Sequence, residues 1–240
     1  MLCSVNGSHP VIAFTLAVVL WHPACWALPA GHQGDAQDPD ITVLIDELST
    51  AQRETAKARL LEIGVRAAPQ LIARLRDLTE FVEQPIIVDP ARLETFDPYT
   101  DPDVLRRQKA WDVMEDCVGL LGEMKSEEAV PAIIKSLETR MPSGREPKVV
   151  QETVALKEIG PPAVPALIDA LARAPETARN RKSNVGPSER IIQARMALAL
   201  AEIGDPRAIP ALEDLIRIEP SFGRGFVADA IAKMLNQQPQ

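Results

Sequence analysis

Apolar positions along this chain recur in one phrase, four times over. It reads Leu61-Glu62-Ile63-Gly64 followed by Ala68-Pro69-Gln70-Leu71-Ile72. It returns as Leu121-Gly122-Glu123-Met124 before Val130-Pro131-Ala132-Ile133-Ile134, and as Glu158-Ile159-Gly160 before Val164-Pro165-Ala166-Leu167-Ile168. The last copy is Glu202-Ile203-Gly204 before Ile209-Pro210-Ala211-Leu212. Self-similarity at a fixed period marks a stack of like units, none of which buries its apolar face alone. After each phrase the apolar residues fall at i, i+1 and i+4, as in Leu71, Ile72 and Leu75, or Leu167, Ile168 and Leu171. That spacing makes a stripe along a helix. No stretch sustains the alternation of a strand, so the fold class is all-α.

The phrase is a junction between helices. Gly64, Gly160 and Gly204 sit where a chain can take positive φ and close a helix. Pro69, Pro165 and Pro210 fall in or near the next first turn, where a missing amide is harmless. In the second copy Lys125 replaces the glycine, which predicts strain or a different closure there. Asp205-Pro206 reads as a cap followed by a first-turn proline, and Ser49 to Gln52 as a capping box. The pattern predicts ten helices in five antiparallel pairs: 41–48 with 50–63, 67–79 with 102–124, 128–139 with 147–159, 163–173 with 188–203, and 207–217 with 223–236.

The phrase turns are short, whereas the turns inside each pair are not. They run through 80–101, 140–147, 174–187 and 218–222, and stacking places them on one rim, where insertions in repeat proteins often bind. Residues 80–103 carry seven acids against Arg92, while 173–190 carry five bases against two acids. The rim reads either as ordinary solvated loops or as a polarised surface that orients a partner. Phe81, Phe96 and Tyr99 lie in the first insertion and Trp111 on the helix after it. They either pin the insertion to its own domain or anchor a partner. The candidate partner-binding residues are Arg92, Phe96 and Tyr99 in the acidic loop, with Arg179, Arg181 and Lys182 in the basic one.

Composition narrows the chemistry. Aromatics make up 4% of 240 residues against 46% hydrophobic, so the core is aliphatic and rich in alanine. A net charge of -8 argues against generic nucleic-acid binding, which needs a basic surface. The histidines are His9, His22 and His32, all ahead of the repeats, so the repeat region lacks the usual acid–base and zinc ligand. Cys117 is the lone cysteine of that region and falls in an apolar stripe, as a core residue would. Asp97, Asp101 and Asp103 form an acidic cluster. It reads as helix initiation, with Asp101 the cap and Pro102 the first turn, or as a weak calcium candidate lacking the EF-hand spacing. Glu62, Glu158 and Glu202 share one repeat position and read as solvated surface.

Residues 1–34 contain no Asp, Glu, Lys or Arg, and Val11 to Trp21 is an apolar run of signal-peptide length. The expectation is a signal peptide over 1–27 with cleavage after Ala27, a linker over 28–40, and a repeat domain over 41–238. An uncleaved amino-terminal anchor is the alternative.

The Glu-Ile-Gly-Asp-Pro-Arg-Ala-Ile-Pro-Ala-Leu stretch at 202–212 is similar to the consensus of the HEAT-repeat family, in the short bacterial form of the phycobilin lyases. The resemblance covers residues 41–236. It implies a right-handed α-solenoid of the armadillo and HEAT type, and many binding roles rather than one chemistry. The family often carries an arginine eleven residues before the junction glycine. Those positions here are Arg53, Met114, Val149 and Gln193, so only the first copy keeps it. The resulting expectation is an exported, non-enzymatic scaffold that binds a protein partner through the concave helices and the insertion rim, without cofactor, metal or nucleic acid. A bilin lyase-like enzyme or subunit, and a membrane-tethered structural protein, are the alternatives.

Overall fold

The computed structural model describes residues 40–84, 97, 100–139, 151–179, 189–218, 220 and 225–236. The expected signal, linker and much of the four long turns lie outside the described residues. Among those described, ten α-helices follow one another: α1 Ile41–Glu47, α2 Arg53–Ile63, α3 Ala68–Glu83, α4 Pro102–Glu123, α5 Val130–Leu137, α6 Gln151–Ile159, α7 Val164–Arg179, α8 Glu189–Ile203, α9 Ile209–Ile218 and α10 Phe226–Asn236. No strand occurs among the described residues.

Each odd-numbered helix packs on the even-numbered helix that follows it. Odd helices also pack on odd, and even on even, from one pair to the next. The result is the two-layered HEAT-like stack that the repeat predicts. Its core lies between the layers and is aliphatic: Leu60, Leu71, Leu75, Leu121, Ile133, Leu156, Leu167, Met196 and Leu212 are fully buried. Each such side chain contributes about 1.5–3 kcal/mol of transfer free energy.

The junctions are built from one part repeated. A single 3₁₀ turn, at Gly64–Ala67, Glu127–Ala129, Pro161–Ala163 and Pro206–Ala208, separates each even helix from the next odd one. The alanine closing each turn (Ala67, Ala129, Ala163 and Ala208) is wholly buried, which explains its presence in all four copies. Gly64 and Gly160 hold φ of 66° and 79° with ψ of -145° and -143°, outside the left-handed helical well and open in practice only to glycine. Lys125 holds φ of 52° and closes α4 in another way. The Ser126 amide reaches the Leu121 carbonyl at 3.0 Å and the Lys125 amide reaches Gly122 at 2.8 Å, the paired bonds of a Schellman closure.

Three expectations need correction. Ser49 to Gln52 is not a capping box: the Ser49 hydroxyl donates back to the Asp46 carbonyl at 2.8 Å and Thr50 to Glu47 at 2.8 Å, so the chain turns there and α2 starts at Arg53. α3 continues to Glu83, because Val82 extends the buried stripe and the Thr79 hydroxyl satisfies itself on the Leu75 carbonyl at 2.7 Å. α7 continues past Pro175 to Arg179. The first insertion therefore begins after Glu83, and the basic turn after Arg179.

Candidate interaction surface

The outward side of the even layer is a graded surface. On α4 Gln108, Asp112, Glu115, Gly119 and Glu123 are accessible there, spaced three or four apart, with the exposed Leu105 and Lys109 beside them. Farther along the layer, α8 presents Ile191, Ala194, Leu198 and Ala201 at the same spacing, all half-buried. The face thus passes from charged to apolar across the stack.

A cleft of about 210 Å³ opens at the charged end, lined by Arg53 and Lys57 of α2, Glu115, Asp116, Gly119 and Glu123 of α4, and Gln151 of α6. Gly119 lets Gln151 approach α4, since a Cβ there would meet the Gln151 amide at 3.1 Å. The cations of the cleft are engaged. Arg53 grips Asp116 through Nε to Oδ2 at 2.5 Å and Nη2 to Oδ1 at 2.8 Å, and that bond holds its guanidinium above its ordinary pKa. Lys57 Nζ lies 3.6 Å from both Asp116 and Glu54. The arginine of the first repeat therefore ties it to the second, through a carboxylate that is 5% exposed.

The remaining carboxylates of this face are not so paired. Glu115 accepts the Trp111 indole N–H at 3.2 Å, and burial pushes its carboxyl above the ordinary glutamate range against that bond. Asp112 accepts only a long bond from Gln108, at 3.4 Å. Among the described residues, Asp112, Glu115, Glu123 and Glu158 form no ion pair. Glu202, by contrast, pairs with Lys157 at 2.7 Å, which holds its carboxyl below the ordinary range and links α6 to α8.

Of the aromatics near the rim, the described ones differ: Phe81 is exposed and Trp111 is not. Trp111 is buried in the core. Phe81 lies on α3, with the Arg107 guanidinium 5.6 Å from its ring centre. Arg107 is buried, and its Nη1 donates to the Val82 carbonyl at 2.7 Å; desolvation lowers its pKa. It caps the carboxyl end of α3, where a cation meets the helix dipole favourably. Lys135 and Thr139 reach Glu83 at 2.6 and 3.3 Å, joining the ends of α3 and α5.

Arg92, Phe96, Tyr99, Arg181 and Lys182 lie outside the described residues, and Arg179 is placed only as the last residue of α7. Asp101 is the cap expected of it, accepting from the Asp103 amide at 2.9 Å. Cys117 is buried in the core, where desolvation pushes its thiol up to about 12. Among the described residues no cluster of His, Cys, Asp and Glu is placed to hold a metal ion, and no helix is long and apolar enough to cross a membrane. The carboxylates on α4 were open to sequence reading, since Asp112, Glu115 and Glu123 keep helical spacing. Which side of a doubly packed helix stays exposed was not.

Residues 192–217, running from α8 into α9, match the family model described as PBS lyase HEAT-like repeat. No curated protein and no solved structure matches the chain.

Proposed function

We propose that this chain, which carries HEAT-like repeats, is a non-enzymatic scaffold that holds a protein partner against its even-numbered helices. The observation that supports this most is the row of carboxylates without ion pairs around the α2–α4–α6 cleft. Carboxylates without a direct ion pair on a packed face select a partner of opposite sign and raise its association rate. The partner segment this favours is basic where it meets α4 and apolar where it meets α8. The insertion rim, with Arg92, Phe96 and Tyr99 on one loop and Arg179, Arg181 and Lys182 on another, is the second contact zone of the proposal. Export by the amino-terminal segment belongs to the same reading and rests on the absence of Asp, Glu, Lys and Arg from residues 1–34 and on the apolar run Val11 to Trp21.

The test is a pull-down from the native envelope and extracellular fractions with three baits: wild type, a Glu115→Lys/Glu123→Lys variant, and a variant whose residues 84–99 are replaced by a Gly-Ser linker. A partner held by wild type and lost by the charge reversal supports the even face. Loss with the loop variant supports the rim. Equal capture by all three contradicts both surfaces. The name of the matched repeat supports a second reading, a lyase-like enzyme or subunit acting on a bilin. Mixing the chain with bilin and finding a shift of its absorbance would favour that reading over the scaffold.

A further inference from the structure

The third repeat carries a carboxylic acid where its neighbours carry core side chains. Counted from the junction, Glu152 occupies the position of Ala56, Cys117 and Met196, each fully buried. Its α5 neighbour Ser136 stands where the later repeats place Ala170 and Leu215. Ser136 is itself 0% exposed, and its hydroxyl donates to Glu152 Oε1 at 2.7 Å. Arg195 of α8 is buried beside them and donates to the Leu137 carbonyl at 3.2 Å, capping α5. The hydroxyl of Thr153, next to Glu152, is buried without a hydrogen-bond partner among the described residues. A buried carboxylic acid held by a hydroxyl, at a position that the other repeats fill with apolar side chains, makes the packing of this joint depend on a proton.

We propose that the α5–α6–α8 joint is a pH-responsive element, in which ionisation of Glu152 loosens the third repeat against the fourth. The groups that act on Glu152 are few. Its own backbone amide and the Ser136 hydroxyl favour the charged form, as does Arg195 from α8; Glu115 from α4 disfavours it. The turn Pro161–Ala163, which also packs on α6, carries no charge. Burial outweighs the favourable contacts and raises the carboxyl above the ordinary glutamate range. A raised carboxyl means that the folded joint binds the proton more tightly than the opened one. Its stability is therefore full below the ordinary glutamate pKa and is lost as pH rises through the folded value.

Amide hydrogen exchange along α6, corrected for intrinsic rates and followed from acid to mildly alkaline pH on the full chain, tests this. In wild type, opening of α6 rises with pH, by about tenfold for each unit by which the buried pKa exceeds that of the opened state. Glu152→Gln keeps the shape and the Ser136 bond, and its α6 protection stays level. Ser136→Ala removes a donor to the charged form, so its loss of protection is larger and extends to higher pH. The proposal is overturned if wild type and Glu152→Gln respond alike to pH, or if Ser136→Ala leaves the wild-type response unchanged. Should Glu152→Gln fail to fold, the Ser136→Ala comparison decides alone.

Discussion

All four junctions close at positive φ, and the second does so with a lysine where the other three have glycine. Lys125 sits at φ 52°, where a Cβ clashes with the following carbonyl at a cost of about 1–2 kcal/mol. Lys125→Gly is therefore expected to stabilise the chain by about 1 kcal/mol, less the entropy glycine adds to the unfolded state, as read by urea denaturation. The reverse change, Gly160→Ala, forces a side chain into φ 79°, ψ -143° and should cost about 1–3 kcal/mol. Sequence reading marked all four positions, because glycine and its replacement are visible as letters. It could not tell the glycine-only conformation from the left-handed well, since both look like Ile-Gly. At the same scale, Arg53 and Asp116 were legible only in part. The arginine stood out as the one family arginine kept, but its partner lies 63 residues on. Arg53→Ala leaves Asp116 with Lys57 at 3.6 Å, and the expected loss is about 1–2 kcal/mol because Arg53 is partly exposed. High salt should shrink that difference, which a second denaturation series would show.

At the scale of the element, helix number, order and pairing followed from the phrase, because its glycine, alanine and proline each serve a local need. The errors fell where a local signal met a tertiary one. Thr79 and Glu80 look like a helix end, yet Val82 continues the stripe that α3 buries. Pro175 looks like a stop, yet α7 runs through it. The closeness of α4 to α6 was not legible, because it depends on two residues 33 positions apart: a Cβ on Gly122 would lie 2.6 Å from the Ala155 Cα. That atom is backbone and cannot swing aside. Gly122→Ala should therefore destabilise by about 1–3 kcal/mol, although alanine favours the helix elsewhere by about 1 kcal/mol. A gain in stability on thermal or urea unfolding would show that the two helices do not cross so closely.

For the whole molecule, the architecture was readable and the surface was not. A repeat dictates what is buried, since every unit solves the same packing problem. What distinguishes one stack from another sits on positions the repeat leaves unconstrained, such as the α4 carboxylates and the long turns. The sequence reading placed the candidate contacts on those turns, by charge and aromatic content. The even face exists only in the fold, where α2, α4 and α6 lie side by side, Asp116 engages Arg53 and Lys57, and Glu115 and Glu123 have no ion pair. The proposed role stands on that imbalance. The measurement that tests it most directly is the affinity of the captured partner for wild type and for the Glu115→Lys/Glu123→Lys variant at low and at physiological ionic strength. The account predicts that the variant binds at least about tenfold more weakly and that salt weakens wild type far more than the variant. Equal affinities with equal salt dependence would contradict it.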